Sequence, residues 1–203
     1  MKASVLRRFI FLMALLTIFG GLVFLIFGPS ITREPGDFET QMGDQRLSDG
    51  LYDEALAHFD QALEEAPDHR GALMGRALVF IQTQRYDEAV AELDYLIEFL
   101  TETLLPDDTT GRGALAAAYA NRGNIRDRLG DYQAALEDYV RALSTDEDSV
   151  SGPGVVNKIL YGSDDISSVR KRAKYIHEQL KLPEDQRLLS VPELDAKQRM
   201  HKP

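Results

Sequence analysis

Three stretches of the chain repeat one order of apolar and polar positions. They begin at Gly50, Gln84 and Gly130 and read GLYDEALAHFDQAL, QRYDEAVAELDYLI and GDYQAALEDYVRAL. Aligned on a shared alanine (Ala55 in the first), each has apolar or aromatic residues at offsets −3, 0, +4 and +7, which together form one face of an α-helix. We therefore expect three amphipathic helices that use a common face for packing.

A second helical segment precedes each of these stretches. The three segments read FETQMGDQRLSD, GALMGRALVFIQT and AAAYANRGNIRDRL. Gly43 and Gly123 lie in the first and third of them, each seven residues before a glycine that opens the following stretch. Small residues at these positions allow close helix packing, and Pro67 ends the first unit. The pattern predicts helix–turn–helix pairs.

These linked positions resemble the tetratricopeptide repeat, a 34-residue pair of antiparallel helices. The resemblance predicts an all-α solenoid of about three helix pairs over residues 36–149, divided into repeats at about 36–69, 70–115 and 116–149. The second repeat is degenerate, since Ala77 and Gln84 stand where glycines belong. The residues expected to pack the repeats are Gly43, Gly50, Tyr52, Ala55, Phe59, Ala62, Tyr86, Ala89, Gly123, Gly130, Tyr132, Ala135, Tyr139 and Ala142.

The interval between repeats two and three is twelve residues longer than the interval between one and two. Apolar residues continue the stripe of the second stretch as far as Leu105, and Pro106 interrupts it. Two antiparallel helices that share the extra length equally stay in register. We therefore predict a lengthened hairpin, which is a plausible docking edge, in preference to a loop of twelve residues.

The N-terminal region predicts a membrane anchor. Nineteen residues from Phe9 to Phe27 carry no charge, and as a helix they extend roughly 28 Å, close to the ~30 Å hydrocarbon core of a bilayer. Three basic residues precede this run and acidic residues follow it, which predicts a cytoplasmic N-terminus at residues 1–8, a single transmembrane helix at 9–28 and a linker at 29–35. The expected location is the inner membrane with the repeats in the periplasm; a cleaved signal peptide is the alternative.

Two further segments follow the repeats. Residues 150–182 are expected to form a capping helical region, because the last pair of a solenoid leaves an apolar face to cover. It includes a short helix in VVNKILYG and an amphipathic helix with a basic face, which is also suited to anionic lipid or to the acidic repeats. Residues 183–203 read as an extended arm that needs a surface, either on its own solenoid or on another subunit. The whole fold is thus predicted to be a transmembrane helix, a solenoid, a cap and an extended tail.

Charge and motifs exclude several classes of function. Residues 31–150 carry 26 acidic residues against ten arginines and no lysine, a net charge of −16 that repels nucleic acid. The chain has no cysteine, and its four histidines form no metal-binding spacing. No phosphate-binding glycine loop or nucleophile motif is present. We expect no enzyme, metal, cofactor, nucleic acid or small-molecule substrate.

The resemblance implies recognition of other proteins, with peptides bound in a groove lined by the first helix of each pair. The residues predicted at this groove are Asp44, Met74, Leu78, Asn121, Asn124 and Arg128. The Lys and Asn arrangement with which family members hold an acidic chaperone tail is not matched, because Thr40 and Asp44 stand there.

The functional hypothesis is therefore a non-enzymatic scaffold: a membrane-tethered periplasmic adaptor or assembly factor for envelope or membrane complexes. A permanent accessory subunit of a larger membrane complex and a cleaved, soluble periplasmic chaperone are the alternatives.

Overall fold

The computed structural model describes residues 3–27, 34–150 and 169–191. The chain divides into two units, Met1–Glu34 and Pro35–Pro203. The predicted linker at 29–35 lies mostly outside the described residues, as do the VVNKILYG segment and residues 192–203 of the predicted arm.

The described part of the first unit includes one helix, α1 (Ala3–Phe27). Within the described part of the chain, no helix combines the length and the apolar character that crossing a membrane requires. This finding contradicts the predicted transmembrane anchor at 9–28. It also contradicts the single-pass topology and the inner-membrane location that depended on the anchor.

The second unit is built from three helix pairs stacked in chain order. The helices are α2 (Asp37–Ser48), α3 (Tyr52–Glu65), α4 (Arg70–Gln82), α5 (Tyr86–Thr103), α6 (Thr109–Arg128) and α7 (Tyr132–Thr145). Within the pairs α2 packs on α3, α4 on α5 and α6 on α7. Between pairs, α3 contacts α4, α5 contacts α6, and the first helices contact one another in order. This is the all-helical solenoid that the repeats predict.

The turn inside each pair uses a residue in the left-handed region of φ. Gly50 and Gly130 have φ values of 74° and 84°, and Gln84 takes the same place in the second pair with φ 60°. A side chain in this region costs roughly 1–2 kcal/mol, which a glycine avoids. The degenerate second repeat therefore keeps the turn geometry at some cost in stability.

The first and second pairs meet at the ring of Phe59, which is completely buried. A β-carbon built on Gly75 of α4 would lie 2.3 Å from this ring, and one on Gly43 of α2 would lie 2.6 Å from it. Both glycines therefore leave the space that the ring fills. Tyr139 has the same place in the third pair, where a β-carbon on Gly123 would lie 2.9 Å from its ring.

The aligned alanines are buried as well, whereas the aligned tyrosines Tyr52, Tyr86 and Tyr132 are half-buried. Ala55, Ala62, Ala89, Ala135 and Ala142 have no exposed surface. An alanine at a crossing lets the neighbouring backbone approach, while the aromatic ring one turn further along fills the adjoining space. One apolar cluster lies at the first joint, and a larger one runs from α4 to the C-terminal helix.

The extra twelve residues lengthen two helices. α5 has 18 residues and α6 has 20, against 14 in both α3 and α7. A short connection around Pro106 joins them, and its Asp108 side chain caps α6 by accepting a hydrogen bond from the Gly111 amide at 2.7 Å. The structure thus has the lengthened hairpin and no long loop.

The C-terminal part folds back on the third pair. A short helix α8 (Glu147–Val150) follows α7, and α9 (Val169–Leu180) packs against α7. The basic face of α9 contacts acidic residues of the repeats, since Arg170 pairs with Glu147 and Arg172 with Asp127. Tyr175 of α9 donates a hydrogen bond to the Leu188 carbonyl at 2.6 Å, so this part of the arm lies on its own chain.

We expect Gly75→Ala to destabilise the protein by about 1–3 kcal/mol, because the new methyl group overlaps a buried ring that has no free space. Helix propensity alone predicts the opposite sign, a gain of up to about 1 kcal/mol. Urea unfolding measures the difference. The double variant Gly75→Ala/Phe59→Leu should recover part of the loss; a stability gain in the single variant would contradict this packing.

Candidate functional site

An arginine of α4 joins three helices at the first joint. Arg76 donates two hydrogen bonds to the Glu92 carboxylate of α5, both at 2.9 Å, and one to Asp60 of α3 at 2.7 Å. Burial raises the pKa of Glu92, and the adjacent guanidinium opposes this shift. Because the two hydrogen-bond acceptors come from successive pairs, this arginine fixes one pair against the next.

The same arrangement recurs at the second joint. Arg122 of α6 donates to both oxygens of Asp138 of α7, at 2.7 and 2.9 Å, and to Asp94 of α5 at 2.5 Å. Burial lowers the pKa of Arg122, but the hydrogen bonds to the two carboxylates outweigh it, so that the pKa is raised overall. Arg126 also donates to Asp138, at 2.8 Å.

Sequence reasoning missed these two ion networks. The signal was present in the aligned repeats, because both arginines and both pairs of carboxylates occupy equivalent positions. Arg76 and Arg122 are separated by the same interval as Ala89 and Ala135. An arginine on the first helix with acids at matching positions on two second helices indicates a structural network, whereas the sequence alone suggested a general acidic surface.

The predicted groove residues divide into buried and exposed members. Met74, Leu78, Asn121 and Asn124 are buried, Asp44 is half-buried, and Arg128 is exposed. The Asn121 amide lies 3.4 Å from the sulfur of Met74, so the structure brings these two together inside the joint between α4 and α6. Asn124 instead accepts a hydrogen bond from the hydroxyl of Tyr139, at 2.8 Å.

A buried polar cluster lies where α6, α7 and α9 meet. Arg172 donates to both carboxylate oxygens of Asp127, at 2.6 and 2.7 Å, and also to the Leu189 carbonyl at 3.0 Å. The hydroxyl oxygen of Tyr139 also lies 3.1 Å from the same Asp127, so its single proton is shared between Asn124 and Asp127. Burial raises the pKa of Tyr139 well above its ordinary value, and the negative charge of Asp127 adds to the shift. The cluster joins the C-terminal helix to the third pair.

An open cavity of about 340 Å³ lies at the first joint, between α3, α4 and α5. It is lined by Leu63, Pro67, Leu73, Arg76, Glu92 and Tyr95. Tyr95 is half-exposed, and its hydroxyl donates a hydrogen bond to Asp68 in the turn after α3. That bond raises the pKa of Tyr95 and holds the ring as one wall of the cavity.

The histidines of the first pair have structural contacts. The His58 ring nitrogen lies 2.7 Å from Glu39, and the His69 ring bridges Asp37 and Thr40 while accepting from the Ala72 amide at the start of α4. Among the described residues, no group of three or more His, Asp or Glu side chains is arranged to hold a metal ion.

Comparison with known families identifies the repeats. Tetratricopeptide repeat profiles match residues 40–102 and 116–149, which confirms the predicted repeat type. These matches lend no support to the narrower prediction of a membrane-anchored bacterial member.

Two relatives and one solved structure show how far the similarity extends. RNA polymerase II-associated protein 3 of Xenopus tropicalis is 28% identical over 132 residues, which cover 65% of this chain and 18% of that protein. The Hsp70-Hsp90 organizing protein of Triticum aestivum is 29% identical over 104 residues, covering 51% and 16%. This chain thus spans less than a fifth of either relative.

The solved structure is the first repeat domain of Spaghetti (RPAP3) bound to the HSP90 peptide SRMEEVD. It superposes with a TM-score of 0.52 at 17% identity, covering 76% of this chain and all of that one. At this identity the likeness shows the fold.

Arg172→Ala should lower the free energy of unfolding by about 3–5 kcal/mol, because it leaves the Asp127 carboxylate buried without its cation. Arg170→Ala, which removes an exposed cation of the same helix, should cost less than about 1 kcal/mol. Chemical unfolding of the two variants side by side measures both. Equal losses would show that the buried pair has no special role in holding α9.

Alkaline pH should destabilise the fold through Tyr139. Its folded-state pKa lies above the unfolded value of about 10, so its stabilising contribution is complete below pH 10 and is lost as the pH rises towards the folded pKa. Unfolding free energies measured between pH 9 and 11 should fall less steeply in Tyr139→Phe than in the parent chain. Identical slopes would refute a buried, neutral phenol at this position.

Proposed function

Because residues 40–102 and 116–149 are tetratricopeptide repeats, we propose that this chain is a non-enzymatic adaptor that binds a segment of another protein. The observation that carries the proposal is the pair of arginine networks at the two joints. They hold three helix pairs in a fixed stack, so the surface is formed before a partner arrives and little ordering entropy is lost on binding.

The relatives support protein recognition and also suggest a difference in partner. The HSP90 peptide bound by the Spaghetti (RPAP3) domain, SRMEEVD, contains three acidic residues and one arginine. Residues 31–150 of this chain have a net charge of −16. A surface of that sign repels an acidic segment and attracts a basic one.

The positions at which the resemblance expects an acid-binding Lys and Asn also disfavour an acidic partner. Thr40 is buried, with its hydroxyl 3.2 Å from the His69 ring, and Asp44 carries a negative charge. We propose that the partner segment is basic or neutral and that this chain does not take the acidic chaperone tail.

An adaptor is favoured over a permanent accessory subunit. A permanent subunit would be favoured by an arm and a lengthened hairpin that both need an external surface, but residues 187–189 of the arm lie on α9. The Arg172 side chain and the Tyr175 hydroxyl donate to carbonyl groups of this arm, and the Leu188 amide donates to Gln179 at 2.7 Å. Of the predicted groove residues, only Asp44 and Arg128 retain exposed surface, on the first helices of their pairs.

A selection of random dodecapeptides on the immobilised full chain tests the adaptor proposal. Enrichment of peptides that bind in solution supports it. Failure to enrich any peptide, in a selection in which a known repeat domain succeeds, would overturn it.

Fluorescence anisotropy tests the sign of the partner's charge. We expect the peptide SRMKKVK to bind at least about tenfold more tightly than SRMEEVD, because like charges juxtaposed across an interface are costly. The preference should shrink as salt rises from about 0.05 to 0.5 M, since screening weakens exposed charges. Tighter binding of SRMEEVD would contradict the proposed partner and favour the HSP90-type ligand.

A further inference from the structure

The cavity at the first joint has an informative counterpart in the next repeat. Leu73 lines it, and the residue in the same register of the third pair is Tyr119. The Tyr119 ring is buried, with the guanidinium carbons of Arg122 and Arg141 at 5.5 and 5.7 Å from its centre. One register position thus holds an aromatic ring in one joint and a shorter aliphatic side chain beside a cavity in the other.

The wall of the cavity is suited to an aromatic side chain. Arg76 lines it at the register position of Arg122, which faces the Tyr119 ring in the next joint. A ring inserted from outside would lie against the Arg76 guanidinium and would pack on Leu63, Pro67 and Leu73. Cation–π contact and burial of apolar surface both favour this arrangement.

The surface around the cavity is strongly acidic. α3 and α5 together carry eleven Asp and Glu residues and neither lysine nor arginine. Arginines of neighbouring segments pair with five of these carboxylates, and the others give this face its acidic charge. The five are Glu54, Asp60, Glu88, Glu92 and Asp94. Three carboxylates close in the chain to the lining residues are exposed. Glu64 follows Leu63 on α3, Asp68 follows Pro67, and Glu98 lies one turn beyond Tyr95 on α5.

We infer that this cavity binds an aromatic side chain of a partner protein, in a segment where lysine or arginine flanks the aromatic residue. The cavity supplies the volume and the Arg76 guanidinium face for the ring, and the exposed carboxylates of this face complement the flanking charges. The inference rests on the proposed adaptor function and deepens it, because it assigns a face of the solenoid, α3 and α5, and a class of segment.

Leu73→Tyr is the decisive variant. It introduces the residue that the third pair already has in this register, so it fills the cavity from within and leaves every charge unchanged. A second variant, Glu64→Lys/Glu98→Lys, reverses two exposed charges and leaves the core intact. The control is Asp44→Ala/Arg128→Ala, which alters the opposite, first-helix face.

The probes are dodecapeptides selected from a random library on the full chain, then synthesised with and without their aromatic residue. We expect the enriched peptides to share an aromatic residue flanked by Lys or Arg. Fluorescence anisotropy measures their Kd. Each of three changes should raise the Kd at least about tenfold: Leu73→Tyr, the charge reversal, and replacement of the peptide's aromatic residue by alanine. In the control variant the Kd should stay within about twofold of the parent value. Circular dichroism and urea unfolding check that each variant is folded.

Other outcomes overturn the inference in distinguishable ways. Peptides that bind the parent chain and Leu73→Tyr equally, but lose affinity in Asp44→Ala/Arg128→Ala, would place recognition on the first-helix face and leave the adaptor proposal intact. Absence of any binding peptide would overturn both the adaptor proposal and the inferred cavity site. Self-association of the parent chain that Leu73→Tyr abolishes, seen by sedimentation, would make a second copy the occupant. If Leu73→Tyr fails to fold, the charge-reversal variant decides.

Discussion

The stack depends on how Phe59 is accommodated between the first two helix pairs. The ring is completely buried, and glycines on α2 and α4 leave the space that it fills. An amphipathic helix pair of this size cannot bury its apolar face alone, so each pair requires its neighbour. The close approach made possible by glycine and alanine brings the polar positions of successive second helices within reach of a single arginine.

Arg76 and Arg122 then determine how the pairs are arranged. Each hydrogen-bonds to a carboxylate of its own pair and to one of the preceding pair, so a sideways shift of one pair would leave buried charges without partners. Apolar packing alone tolerates such shifts more readily, because it is not directional. The networks thus add specificity to a core whose stability comes mainly from buried alanine, leucine and aromatic side chains.

The acidic character of the chain follows from this architecture. Some carboxylates, such as Glu92 and Asp138, are paired with arginine inside the joints, and their charge is not available to a partner. Others, such as Glu64 and Glu98, are exposed on α3 and α5, which carry neither lysine nor arginine. Composition counts both kinds equally, but only the second kind gives a binding surface its sign. The face on which they are concentrated also contains the open cavity.

Local sequence patterns were sufficient to predict the repeated helix pairs, their turns and the lengthened hairpin. These features depend on local periodicity and on small or aromatic residues at fixed intervals, which are visible in the chain without a structure. The twelve extra residues before the third pair, for example, could be assigned to two helices because an apolar stripe continued through Leu100 and Pro106 marked the turn.

Other outcomes depended on tertiary contacts. The sequence placed Asn121 and Asn124 on a groove surface, but helix packing buries both, one beside Met74 and the other against Tyr139. The uncharged run of residues near the N-terminus suggested a membrane span, which the described part of α1 does not support.

Long-range contacts also depended on the tertiary structure. The pairing of Arg172 with Asp127 joins residues 45 positions apart. The cavity beside Leu73 exists because Leu63 and Tyr95 come from different pairs. Periodicity gives the face of a helix on which a residue lies; which neighbour covers that face is decided only when the pairs stack.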